Sequence, residues 1–143
     1  MKSNLHFLTL STKDLDAAGS FYRDGLGWEP LVDVPGEIIF FQVAPGFILG
    51  FFEAMKFAED QGRSGLVSGV SGVTLSHNVE SRDAVGSTVE KLVSAGGMVI
   101  KPPQDGAFGG IYHAHVSDPN GIVWEIAHNP GWRIDENGKV IFE

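Results

Sequence analysis

Glu125 is an acid set inside an apolar run, Ile122-Val123-Trp124-Glu125-Ile126-Ala127, and five histidines are spread along the same chain. A carboxylate in such a run must point to solvent, meet a partner or line a polar cavity, because burying it alone is too costly. In an apolar cavity it would serve as a general base, with burial raising its pKa towards neutrality. His113 and His115 form an H-x-H pair, whose imidazoles share one face of a strand, and that spacing suits a metal ion. The turn Asp118-Pro119-Asn120-Gly121 decides whether this pair meets Glu125. With Ser117 opposite Ile122, Ala114 faces Glu125 and both histidines fall on the other face, an outcome that a bulge reverses. His77 is a candidate acid or orienting group beside Glu125, or a hydrogen-bonding partner for a helix end. His6 reads as a strand-end histidine on the face of Leu8 and Leu10, and His128 as a loop or edge residue. Glu53 ends an apolar run, either as a solvated strand end or as a second carboxylate near Glu125.

The elements that hold these residues repeat. Leu5 to Leu10 alternates as a strand, Asp14 suits a helix N-cap, and Leu15, Ala18, Phe21 and Tyr22 recur at helical spacing before Gly25. Glu29 to Val34 reads as a further strand, and Glu37 to Val43 and Phe47 to Glu53 read as a hairpin across Ala44-Pro45-Gly46. Val73-Thr74-Leu75-Ser76 then repeats Leu8-Thr9-Leu10-Ser11 almost letter for letter. Ser81 caps a second helix with the stripe Val85, Val89, Leu92 and Val93. Met98 to Lys101 is a short strand before a loop from Pro102 to Gly110, and Ile111 to Ser117 and Ile122 to Ala127 form the last hairpin. Each half therefore reads strand–helix–strand–strand–strand, a duplicated module rather than a solenoid. The expected division is a first module at about 4–55, a connector at 56–70, a second module at about 71–129 and a tail at 130–143 folding as a small hairpin.

Composition narrows the function. With no cysteine, disulfides, thiolate metal sites and cysteine nucleophiles are excluded. A formal charge of −8 argues against nucleic acid or an anionic membrane as the partner. No apolar run reaches the roughly 20 residues of a membrane span, so a soluble cytoplasmic domain is expected. The sequence holds no phosphate-binding Gly-rich loop, no nucleophile elbow and no basic stripe.

The phrases Phe21-Tyr22-Arg23-Asp24-Gly25-Leu26-Gly27-Trp28 and Asp118-Pro119-Asn120-Gly121-Ile122-Val123-Trp124-Glu125-Ile126, with the helix from Val89 to Gly97, carry a resemblance. The duplicated module resembles the vicinal oxygen chelate superfamily of glyoxalases, bleomycin-resistance proteins and extradiol dioxygenases. The resemblance implies an α+β fold, with two tandem βαβββ modules forming a curled mixed sheet around a cavity, and a homodimer. It also implies a divalent metal held by four ligands, one on the first and one on the last strand of each module. In this chain those positions carry Phe7, Gly50 (within a residue or two), Gly72 and Glu125, so three of the four offer no side-chain donor.

Two function classes follow. The first is a binder of a small, largely apolar molecule without the usual metal centre, and no cofactor is expected for it. Its slot is lined by Phe7, Thr9, Gly50, Gly72, Thr74, Tyr112 and Glu125, with Phe108 in a loop closing the mouth. The second is an enzyme. One form is a divalent-metal lyase, isomerase or dioxygenase using Glu125 with His113, His115 or His6, and the other is metal-free, with Glu125 as base and His77 beside it. In a lapsed site, Glu125 would instead bond to backbone, Arg23 or Arg133. Trp28, Phe57, Trp124 and Trp132 exceed the aromatic surface of a small monomer and support the dimer.

Overall fold

The computed structural model describes residues 6–60, 73–107 and 109–142. The first module runs β1 (Phe7–Thr12), α1 (Leu15–Ala18), a π-helical segment (Gly19–Gly25), β2 (Val32–Val34), β3 (Ile38–Ala44), β4 (Phe47–Glu53) and α2 (Ala54–Asp60). The second runs β5 (Thr74–Asn78), α3 (Arg82–Ser94), β6 (Met98–Asp105), β7 (Tyr112–Ser117) and β8 (Val123–His128), and a hairpin of β9 (Trp132–Ile134) and β10 (Val140–Phe142) follows. The sheet orders are β1-β4-β3-β2 and β5-β8-β7-β6, the same topology twice. In each, the first and last strands of the module pair in parallel and the remaining pairs are antiparallel. The fold is α+β with two modules, as the repeat implies. The sheets do not close into one curled sheet: β1 and β5 are both edges.

Local chemistry sets the element ends. Asp14 accepts from the Ala17 amide at 2.9 Å and Ser81 from the Ala84 amide at 3.1 Å, each occupying an otherwise unpaired helix donor. Glu53 caps α2 by accepting from the amides of Met55 and Lys56, both at 3.0 Å, which holds its carboxyl below the usual range. It is thus a solvent-accessible strand end that caps the following helix, and it does not pair with Glu125. Strand β6 continues to Asp105, past the expected end at Lys101, and carries Pro102 and Pro103. Prolines give no ladder donor, and β6 tolerates them because it is an edge strand whose register shifts between Lys101 and Gln104.

One core joins both modules, drawing Leu10, Phe21, Tyr22, Phe41 and Phe51 from the first and Val85, Leu92, Val116 and Ile126 from the second. Tyr22 is its polar hinge. Its hydroxyl donates to Asp118 Oδ2 at 2.9 Å and accepts from Trp124 Nε1 at 2.9 Å. Burial and the Asp118 charge push this hydroxyl far above the ordinary tyrosine range, so it stays protonated. Asn120 adds a second tie, accepting from the Asp14 amide and donating to its carbonyl. Trp28 and Trp124 pack against this core, so two of the aromatics taken as surface evidence for a dimer are used within the chain.

Tyr22→Phe leaves a buried Asp118 oxygen and the Trp124 indole without their shared partner. Urea unfolding is expected to show a loss of about 1–3 kcal/mol, and an unchanged midpoint would contradict the hinge.

Candidate functional site

The turn between β7 and β8 fixes the site. The Asp118 amide donates to the Ile122 carbonyl at 2.9 Å, leaving Pro119, Asn120 and Gly121 as a three-residue loop. Asp118 Oδ1 accepts from the amides of Asn120 and Ile122, both at 2.8 Å, and Gly121 takes φ +83°, as the left-handed position of such a loop requires. Ser117 therefore pairs with Val123, not with Ile122, and His115 lies directly opposite Glu125. The expected four-residue loop was one residue too long. Because side chains alternate, that single step moves both histidines onto the face of Glu125.

All four strands of the second sheet then contribute to one polar chain. Ser76, paired with Glu125 on β5, donates to Oε2 at 2.8 Å. His113, one diagonal step along β7, places Nδ1 at 2.7 Å from Oε1. Lys101 on β6 lies 2.9 Å from Nε2 of the same ring. An ammonium has only donors, so Nε2 accepts from Lys101 and the ring proton sits on Nδ1, donating to Glu125. His115 Nε2 stands 4.0 Å from the same carboxylate oxygen. The side chains of His113, His115 and Glu125 are 14%, 23% and 28% exposed, half-buried but open to a ligand.

Electrostatics correct the expected role of Glu125. Burial pushes its carboxyl up, but hydrogen bonds from His113 and Ser76 outweigh it and hold it below the usual range. It is a well-held carboxylate, not a base raised towards neutrality. Burial also pushes His115 down, against the pull of Glu125, so that ring is neutral at physiological pH.

Other candidates separate. His77 pairs with Ile126 on the opposite, helix-covered face of the sheet, so it cannot act on Glu125, and Ser76 takes that place. Tyr112 shares that helix side with Ala114 and Val116, where the Arg82 guanidinium lies 4.1 Å from its ring centre. Thr74 does share the face of Glu125. Gly72 and Phe108 lie outside the described residues. His6 precedes β1 and is exposed, at the start of the other sheet. Arg23 pairs with Asp24 and Asp33 rather than with Glu125. The sequence reading gave Ser76 and Lys101 no role at the site. The period-two spacing of Ser76 from Thr74 was a usable signal, but Lys101 depends on a β6 register that prolines make irregular.

Phe7, Thr9 and Gly50 come together on the first sheet, Thr9 pairing with Gly50. The Phe7 and Phe40 rings meet edge to face at 4.8 Å over Gly50, and a Cβ there would stand 2.7 Å from the Phe7 ring. Two of the four family ligand positions are therefore occupied by packed aromatic surface, and the usual four-ligand metal centre does not fit this chain. A cavity of about 270 Å³ beside them is lined by Phe7, Thr9, Phe40, Phe52, Phe57 and Asp60.

Residues 4–126 match the family model described as the Glyoxalase/Bleomycin resistance protein/Dioxygenase superfamily. No curated protein matches the chain. Among solved structures, it is similar to a glyoxalase-related enzyme from Fulvimarina pelagi, with 37% identity, a TM-score of 0.85 and 99% of each chain covered. It is also similar to a glyoxalase/bleomycin resistance protein/dioxygenase from Nocardioides, at 27% identity and TM-score 0.74, covering 92% of this chain and 87% of that one. A lactoylglutathione lyase from Agrobacterium tumefaciens shares the fold, at 22% identity and TM-score 0.67, covering 89% and 94%.

The held carboxylate gives a pH-dependent prediction. A depressed folded-state pKa adds stability that is present above the unfolded value and lost as pH falls through the folded one. Glu125→Gln is expected to unfold more easily at pH 7, by on the order of 1 kcal/mol. In urea melts across pH the gap from wild type should close below the ordinary glutamate range, and a gap that widens there would contradict the assignment.

Proposed function

The chain belongs to the glyoxalase/bleomycin resistance protein/dioxygenase superfamily, and from that premise we propose that it binds a small, largely apolar molecule without the usual four-ligand metal centre. The observation that carries this reading is the Phe7–Phe40 pair closed over Gly50, where an apolar slot stands at two inherited ligand positions. Pockets that take planar apolar molecules combine such surface with a few placed polar groups. Thr9 provides one beside the aromatic cavity. Lys101, His113 and Glu125 provide a donor and acceptor set on the second sheet, suited to a hydroxyl or carbonyl oxygen on the ligand.

The aromatic cavity is lined by first-module residues and the polar chain lies on the other sheet. The reading therefore includes a homodimer, in which one copy's aromatic face covers the polar face of its partner. A molecule held there meets an apolar wall and a polar floor.

A second reading, a metal-free acid–base enzyme, is favoured by His115. It is neutral, half-buried and not hydrogen-bonded to Glu125, and so is free to take a proton from a bound carbon acid. Turnover separates this reading from pure binding.

A thermal-shift screen of phenols and aromatic ketones tests the proposal. At about a hundred times Kd, a true ligand is expected to raise the Tm of wild type by roughly 5–10 °C. Phe7→Ala should lose most of that shift, since the ring packs on the cavity without anchoring the core. A shift that survives Phe7→Ala unchanged would place the ligand elsewhere and overturn the reading.

A further inference from the structure

We propose that His113, His115 and Glu125 form a binding site for one divalent transition-metal cation, with only Glu125 at a position the superfamily uses, and that Lys101 opposes its loading. Two of the three ligands come from β7, a strand that carries none of the four usual positions. The inference goes beyond the ligand reading and does not need it.

The donor geometry is in place. One nitrogen from each histidine and one carboxylate oxygen lie within 4.8 Å of one another. His113 Nδ1 is 2.7 Å and His115 Nε2 is 4.0 Å from Glu125 Oε1. Donors sharing one zinc-sized ion, each about 2.0–2.2 Å from it, lie roughly 3–3.5 Å apart, so small side-chain rotations suffice. The backbone has fixed everything else: H-x-H on one strand face, with Glu125 directly across the ladder. Ser76 holds the second carboxylate oxygen, leaving Oε1 aimed at the histidines. Such second-partner bonds orient ligands in established sites.

Donor type narrows the cation. Two imidazoles and a carboxylate suit zinc, cobalt or nickel, whereas magnesium and calcium prefer oxygen throughout. Three ligands on an open face leave room for a further donor from solvent or a small molecule, unlike a closed structural site.

Lys101 is the opposing element. Its ammonium sits 2.9 Å from His113 Nε2, placing one positive charge beside the ring that a dication must share. The same hydrogen bond orients the His113 N–H at Glu125, filling the gap between them. Loading a cation therefore means displacing Lys101. Removing that charge while keeping the side-chain length should favour the ion.

The test is calorimetric titration of the untagged, chelator-treated full chain with Zn²⁺ and, separately, Co²⁺, the latter also read by its visible absorption. Wild type is expected to take one ion per chain. Lys101→Met should bind roughly tenfold tighter or better, and His115→Ala and Glu125→Gln roughly tenfold weaker or worse. His115→Gln replaces His115→Ala if circular dichroism shows that variant unfolded. Absence of saturable uptake in both wild type and Lys101→Met overturns the site, as does uptake unchanged in the His115 and Glu125 variants. Equal affinity in wild type and Lys101→Met overturns the role of Lys101. The aromatic-ligand screen is run without metal and is read through Phe7 on the other sheet, so the two proposals fail separately.

Discussion

The Asp118 carboxylate is the constraint on which the rest depends. One oxygen takes two amides of its own loop and the other takes the Tyr22 hydroxyl, so a single side chain closes a hairpin and ties it to the other module. Burial pushes this carboxyl up, and the amides and hydroxyl around it pull it back, as expected of a buried acid retained for what it organises. The loop length it enforces is odd. That parity decides which face of β7 looks at Glu125, and hence whether the second sheet has a polar centre at all.

From that register the second sheet becomes chemically polarised. Its helix side packs Ala114, Val116 and Ile126 into the core, while its open side carries Lys101, His113, His115, Glu125 and Ser76 in mutual reach. The first sheet is built on the same topology with the opposite content: its open side is phenylalanine, and Gly50 is there because two rings need the space. Duplication supplied two equivalent surfaces, and the sequence has made one apolar and the other polar. A fold that hosts many chemistries does so by such changes on a fixed frame.

The fold was largely legible in the chain. Repetition of Leu-Thr-Leu-Ser, capping by Asp14 and Ser81, and alternation in the strands announce two βαβββ modules, because these are local rules. The site was legible only in part. Glu125 stands out as an acid amid apolar residues, and H-x-H as a spacing, but joining them needs the hairpin register. Asp-Pro-Asn-Gly fits either a four-residue loop or a three-residue loop closed by its own aspartate, and the choice is made by amide hydrogen bonds that composition does not display. Tyr112 was misplaced for the same reason, one step of alternation from the face assumed for it, whereas His77 lies on β5 on the opposite face from Thr74 and Ser76. Lys101 was hidden by Pro102 and Pro103, which look like a loop and are instead tolerated on an edge strand.

The central claim is that Lys101, His113 and Glu125 form one ordered chain on the open face of the second sheet. Long-range proton–nitrogen NMR of the imidazole rings in metal-free protein near pH 7 tests it most directly. The account predicts that His113 carries its proton on Nδ1, with Nε2 bare and accepting, the tautomer that lysine on one side and carboxylate on the other impose. A proton on Nε2 of His113 would mean that Lys101 and Glu125 do not flank the ring as described, and would contradict the register from which the site is built.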